Sequence, residues 1–437
     1  MESVLCPNNR LSSLLVRLFI VALLPLLGSN GLAQDVYRSD ILTFYGEKQI
    51  TADSLTPSSF PVTLTCKTTD SKQIPPRYTI ILRGLDPVEK ALFQDAQGGK
   101  WVNFDLFRAA MIAEGIRDIK LIETYEARLN ALVEKVIATS RASGNTSPQA
   151  ITRALFEAMH KEILTQPYSL DCTELSKVMK TGHFNCVSAT VLFNCLAEKA
   201  GLDVCGLEKP GHALSRVKFA SGAAMDIETT CATWFELQSE EERQLATQLY
   251  AAAPALGTAS PPTAQNAVPA TVEPKVESLS DLREISPVQL VATIYYNRGV
   301  DLYAKKSHPE AAAANVRALY LDRDNKQAWT NLLVSINNWA LEEVNEKRKK
   351  EERFYSFSTI LLDQGVALDP TYEKFRSNYV YVFDRWIRGL AELGQFEKAR
   401  EVYALANAER RIPQNESLVK LMKIVKSEEE RIKTAGR

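Results

Sequence analysis

Residues 184–235 read FNCVSATVLFNCLAEKAGLDVCGLEKPGHALSRVKFASGAAMDIETTCATWF, and the rest of the chain is best read outward from them. Cys186, His212 and Asp226 follow one another in this stretch. They are the residue types that a thiol nucleophile, its base and the carboxylate orienting that base require. Cys186 comes after the turn-like pair Thr181-Gly182 and directly after Asn185, a residue suited to cap a helix. It opens a run with helical spacing (Val187, Thr190, Val191, Leu192, Leu196, Ala197) that stops at Ala200-Gly201. The spacing therefore predicts a helix with Cys186 at its start, where free backbone N–H groups and the helix dipole favour a thiolate.

Three short strands should follow. Residues 202–207 read as the first. The second, HALSRVKF, begins at His212 and puts His212, Leu214, Arg216 and Lys218 on one face. Ser221-Gly222 turns the chain, and 224–229 reads as a third strand carrying Asp226. Two adjacent antiparallel strands can set a histidine beside a carboxylate. Glu228 lies two residues beyond Asp226 on the same strand face and is the competing carboxylate.

In the phrases FNCVSATVLF, PGHALSRV and DIETT, this helix–strand–strand order resembles the transglutaminase-like core of the papain-like thiol enzymes. The resemblance is nearest to bacterial proteins that join such a segment to tetratricopeptide repeats. It implies an α+β fold in which the cysteine helix packs on a small antiparallel sheet. It also implies a Cys186–His212–Asp226 triad, and it is the reason for preferring Asp226 to Glu228. One departure is Val187, which stands where eukaryotic transglutaminases carry a tryptophan; Trp234 is the candidate to replace it.

The less specific readings are plain ones. Helical cysteines are commonly buried small hydrophobes, and Cys195, Cys205 and Cys231 fit that description or that of disulfide partners. With no CxxC or HxxxH pair, a structural zinc site is not expected. His160, on a helix of mixed polarity, reads as a surface residue, and His183 as a turn residue.

A formal net charge of −1 over 437 residues gives no electrostatic case for nucleic acid. Residues 1–33 read as a secretory signal: Arg10 and Arg17 precede the apolar run 18–27, and Gly31-Leu32-Ala33 supplies small residues for cleavage. That run is short of the ~20 residues that cross a bilayer, so the protein should be exported, periplasmic or secreted. An uncleaved N-terminal anchor is the alternative, and membrane contact follows only in that case. Residues 34–76, rich in Ser, Thr and Pro, read as a flexible polar arm. Residues 77–250 then form the transglutaminase-like domain with its N-terminal helices. Residues 251–286 (beginning AAAPALGTASPPTAQNAVPATVEPKVE) read as an Ala/Pro-rich linker.

Residues 287–437 repeat. On a helix–turn–helix frame of about 34 residues, small residues recur at Gly299, Ala311 and Ala318, and again at Gly394, Ala399 and Ala406. Trp329 and Leu332 open a middle unit that NEKRKKEER interrupts. This resembles tetratricopeptide repeats, closed by a polar capping helix over 416–433. It implies a helical domain that holds a protein or peptide partner.

Two functional classes follow. One is an exported thiol hydrolase or acyltransferase acting on amide bonds, with no cofactor. The other is a non-catalytic interaction protein that keeps the thiol-enzyme fold.

Overall fold

A computed structural model describes residues 85–209, 211–256, 282–344, 352–408 and 415–435, together with two earlier strands. The 1–33 signal reading lies outside the described residues. The two strands, β1 (Phe60–Leu64) and β2 (Tyr78–Leu82), form an antiparallel ribbon with Val62 opposite Ile80. β1 corrects the expectation of a flexible polar arm at residues 60–64, because FPVTL carries the alternation of apolar residues that suits a strand.

The chain divides into two units. The described part of the first comprises residues 86–209, 211–256, 282–298 and 318–324. It opens with helices α1 (Pro87–Asp95), α2 (Leu106–Ala113), α3 (Ile119–Ala142), α4 (Pro148–Glu162) and α5 (Leu175–Thr181). The first four start where a side-chain oxygen can accept from a free backbone N–H: Asp86, Asp105, Asp118 and Ser147 are the caps. Such caps each stabilise by about 1 kcal/mol.

Next comes α6 (Cys186–Lys199), the helix around which this unit is built. Every residue from 186 to 197 is buried, so α6 is enclosed on all sides rather than amphipathic. Its hydroxyls and the Asn194 side-chain oxygen are matched inside the core. Ser188 Oγ donates to Cys172 O (2.6 Å), Thr190 Oγ1 meets Thr229 Oγ1 (2.9 Å), and Ser215 Oγ donates to Asn194 Oδ1 (2.6 Å).

Strands β3 (Asp203–Lys209), β4 (His212–Lys218) and β5 (Ala224–Ile227) follow, then α7 (Glu240–Leu256) and β6 (Arg283–Ile285). They form one antiparallel sheet in the order β5-β4-β3-β6. The Ser215–Asn194 bond fixes which face of β4 looks at α6. The fold is thus mixed α+β, mostly helical, with one small four-stranded sheet.

The structure corrects both ends of the linker expected over 251–286. α7 runs on to Leu256, since an alanine-rich start favours helix. At the other end β6 is an edge strand on β3. Gly206 allows that approach: a Cβ there would lie 2.7 Å from Ile285. Arg283 is held by Glu208 and Asp322 at 2.5 Å each.

The division between units is also displaced from the linker. It falls within α8 (Pro287–Ala304), whose first part belongs to the first unit. There Tyr295 donates to Glu89 (2.8 Å) and Arg298 to Ala113 O (3.1 Å). The end of α9 (His308–Leu321) belongs to it too, with Tyr320 edge-on to Phe93 at 5.0 Å.

The described part of the second unit takes the β1–β2 ribbon, the rest of α8 and α9, then α10 (Lys326–Glu343), α11 (Glu352–Leu368), α12 (Glu373–Glu392), α13 (Phe396–Ala408) and α14 (Glu416–Ala435). Successive helices pack on one another, and small residues set the spacing. A Cβ on Gly299 would lie 2.7 Å from Asn315, and one on Gly365 would strike the buried ring of Phe375. Ala311, Ala399 and Ala406 are fully buried. Trp386 stacks between Tyr355 and Phe383, at 5.6 and 6.2 Å between centroids.

Candidate active site

Cys186 is the first residue of α6, and Asn185 is its cap. The Asn185 side chain accepts from Ser188 N (3.0 Å), and Ser188 Oγ accepts in turn from Asn185 N (2.9 Å). This reciprocal box fixes the entry of the chain into the helix. It leaves the Cys186 N–H outside the intrahelical ladder, at the positive end of the dipole. Just upstream, Gly182 ends α5 with φ 78°, and a Cβ there would lie 2.5 Å from Thr165 Oγ1. The tight turn expected at Thr181-Gly182 therefore needs glycine. The Cys186 side chain ends up buried, with 7% of the residue exposed.

His212, the first residue of β4, is buried against this helix end. Its Nε2 lies 2.6 Å from Glu228 Oε2. Glu228 is fully buried, and its other oxygen accepts from the backbone N–H (3.2 Å) and hydroxyl (2.5 Å) of Thr230. On the other side the imidazole interacts with the Cys186 thiol. The ring's Nδ1 is buried without a well-formed hydrogen bond, so the resting sulfur–imidazole contact is a loose one.

The electrostatics favour a charged pair. Burial pushes the Cys186 thiol up, but the hydrogen bond and charge of His212 outweigh it and bring the thiol below its ordinary value. Burial opposes a charged His212, but the Glu228 carboxylate and the bonds to Cys186 and Glu228 carry its pKa up to about 10. The Ala213 N–H also supports the negative sulfur. Both shifts favour a thiolate facing an imidazolium.

This pair sets a pH dependence of stability. His212, raised from 6.5 to about 10, favours folding below pH 6.5 and loses that contribution as the pH rises through about 10. Cys186, lowered from 9.0, favours folding above that pH and loses its contribution as the pH falls. Where the two windows overlap below pH 9.0, folding moves a proton from sulfur to imidazole with no net exchange, so the two slopes cancel. The melting temperature contributed by this pair should be level there. In Cys186→Ala the Glu228 carboxylate still raises the His212 pKa, so the His212 slope should be uncovered, and the melting temperature should fall as the pH rises above 6.5. Parallel profiles for the two proteins would contradict the charged pair.

Asp226 is not part of this arrangement, which corrects the expected triad. It stands opposite Arg216 in the β4–β5 register and is gripped by it, Nε to Oδ1 at 2.6 Å and an Nη to Oδ2 at 2.8 Å. The physical reason is register. The pairing of Ser215 with Ile227 and of Arg216 with Asp226 would bring Thr230, not Asp226, opposite His212. Asp226 is four residues short of that point, about 13 Å along a strand. β5 ends at Ile227, and the turn closed by Cys231 N to Glu228 O (3.1 Å) directs the Glu228 carboxylate to His212.

Trp234 is likewise found with the Arg216–Asp226 pair, lining a cleft of about 390 Å³ with Leu214 and Arg243. His160 is not the expected surface residue. Its Nε2 lies 3.0 Å from Thr229 O, its ring packs on Phe156 and Phe184, and burial lowers its pKa to about 4. His183 braces the neighbouring turn through Pro167 O at 2.9 Å.

None of Cys172, Cys186, Cys195, Cys205 and Cys231 is joined in a disulfide. Among the described residues, no group of three or more His, Cys, Asp or Glu side chains is placed to hold a metal ion. Nor, among them, is any helix long and apolar enough to cross a membrane. No protein-family model, no curated protein and no solved structure matches the chain.

Proposed function

We propose that the chain is a thiol hydrolase or acyltransferase acting on amide bonds, with Cys186 as nucleophile, His212 as acid–base and Glu228 as orienting carboxylate. The observation that carries this reading is the buried His212 imidazole, held at 2.6 Å by Glu228 on one side and interacting with the helix-start thiol on the other. The Cys186 sulfur attacks the carbonyl carbon, and His212 gives its proton to the leaving nitrogen. Water then releases the acyl group, or an amine accepts it. The likeness in residue order to the transglutaminase-like core favours hydrolysis.

In this reading the second unit is a tetratricopeptide-like stack that binds a protein or peptide partner, and the protein works after export. Its support is the pattern of small residues at helix contacts and the apolar run in 18–27. A second reading, a non-catalytic binding protein, is favoured by one observation: Cys186, His212 and Glu228 are all buried.

Alkylation of the whole protein with iodoacetamide at pH 6, followed by peptide mapping, separates the two. An enzyme should label Cys186 at least about 10-fold faster than Cys195 or Cys231, because only the thiolate reacts. Equal labelling rates would favour the binding protein.

A further inference from the structure

The connection between α4 and α5 is strapped to the start of α6. Ser169 N donates to Phe184 O (2.8 Å), and Asn185 Nδ2 donates to Leu170 O (3.1 Å) and Thr173 Oγ1 (2.8 Å). Tyr168 lies in this strap, in a parallel bridge with Phe184, whose ring it meets edge-on at 6.1 Å. Its backbone is therefore fixed beside the residue two positions before Cys186. The side chain is buried, and its hydroxyl reaches the Cys186 side chain and backbone N–H. No well-formed hydrogen bond satisfies that hydroxyl.

A buried hydroxyl with no well-formed hydrogen bond costs free energy on folding, and phenylalanine would fill the same space without that cost. Packing thus explains the ring of Tyr168 but not its oxygen. The oxygen stands beside the sulfur that interacts with His212, next to an N–H that the helix leaves unused.

We propose that Tyr168 is a catalytic residue of this site, its hydroxyl acting with the Cys186 N–H to stabilise the oxyanion formed when the sulfur attacks a carbonyl. This rests on the reading of Cys186 as the nucleophile. As the S–C bond forms, the carbonyl π pair moves onto oxygen, and that oxygen accepts from Tyr168 and from the Cys186 N–H. The oxygen's pair then returns and the bond to the leaving group breaks, with the His212 proton passing to an amine. Burial first, and then the charge of the Cys186 thiolate, hold the phenol well above its ordinary pKa, so it keeps the proton it must share.

The test compares two reactions of the same sulfur in the full chain. Acylation by 4-nitrophenyl acetate passes through an oxyanion and expels 4-nitrophenolate; alkylation by iodoacetamide displaces iodide and forms no oxyanion. Tyr168→Phe should slow acylation of Cys186 by about 10²-fold, the usual loss of one oxyanion donor, and change alkylation less than about 3-fold. Unchanged acylation, or equal loss of both reactions, would overturn the assignment. A measurement needing no variant guards against a misfolded Y168F protein. The thiono analogue of the ester places a weaker acceptor at the same spot, so it should be disfavoured more by the protein than by free cysteine, and an equal preference overturns the proposal. A wild-type Cys186 that alkylates quickly but acylates no faster than free cysteine removes Tyr168 from the mechanism and leaves the nucleophile standing. A Cys186 inert to both reagents removes the nucleophile and Tyr168 with it.

Discussion

His212→Ala is expected to slow alkylation of Cys186 at pH 6 by about 10²-fold or more, because the thiolate fraction falls with the loss of the neighbouring cation. Two effects act in the same direction. The hydrogen bond and charge that lower the thiol pKa disappear, and the Glu228 charge, which already raises it, is left unopposed. The rate profile should therefore move to higher pH as well as fall. Removing one member of a buried charged pair also destabilises by about 3–5 kcal/mol, since Glu228 is fully buried. The double change His212→Ala with Glu228→Gln removes that buried charge, so it should recover stability without recovering reactivity. A rate profile that overlays the wild type would mean that His212 does not act on the sulfur at all.

The cysteine helix is legible in the sequence because everything that sets it is local. Asn185 caps it, Cys186 opens it and Ala200-Gly201 closes it, with Gly201 at φ 78°. The strand starting at His212 is legible for the same reason, through alternation and the glycine turn at 221–222. The carboxylate is a question of register, and that information was present too. A hairpin centred on Ser221 places Thr230 opposite His212, which makes Glu228 nearer than Asp226. The family pattern drew the choice to Asp226, which the structure pairs with Arg216 while Glu228 meets His212.

Other features depend on contacts far apart in sequence. β6 is three residues long and becomes a strand only by joining β3, some 75 residues earlier, where Gly206 lets Ile285 approach. His160 sits on a helix whose mixed polarity conceals that Thr229 O and Phe184 will cover it. The passage of α8 from one unit to the other is equally hidden, because helical periodicity is the same on both sides of Arg298. Tyr168 carries no motif at all. Only the strap between α4 and α5 brings its hydroxyl to the sulfur.

The sharpest separation of the two carboxylates comes from changing each to its amide. Glu228→Gln keeps the shape of the buried partner but removes the charge that does most to raise the His212 pKa against burial. The amide can also donate to Nε2, which places the imidazole proton on Nδ1, on the side where the sulfur needs an acceptor or a charged donor. Loss of the correct tautomer and of imidazolium stabilisation together should reduce acylation of Cys186 by about 10²–10⁴-fold, as expected for the third member of such a triad. Alkylation at pH 6 should fall as well, because His212 is then less often the cation that holds the thiolate. Asp226→Asn removes only a partly exposed pair with Arg216, whose side chains are 28% and 38% exposed. Exposed pairs of this kind contribute about 0–1 kcal/mol, so both reactions should stay within about 3-fold of wild type. Measuring acylation and alkylation in the two variants side by side gives opposite answers for the two possible triads. A crippled Asp226→Asn beside an unaffected Glu228→Gln would restore Asp226 as the orienting group, and the buried 2.6 Å contact between His212 and Glu228 would then be structural only.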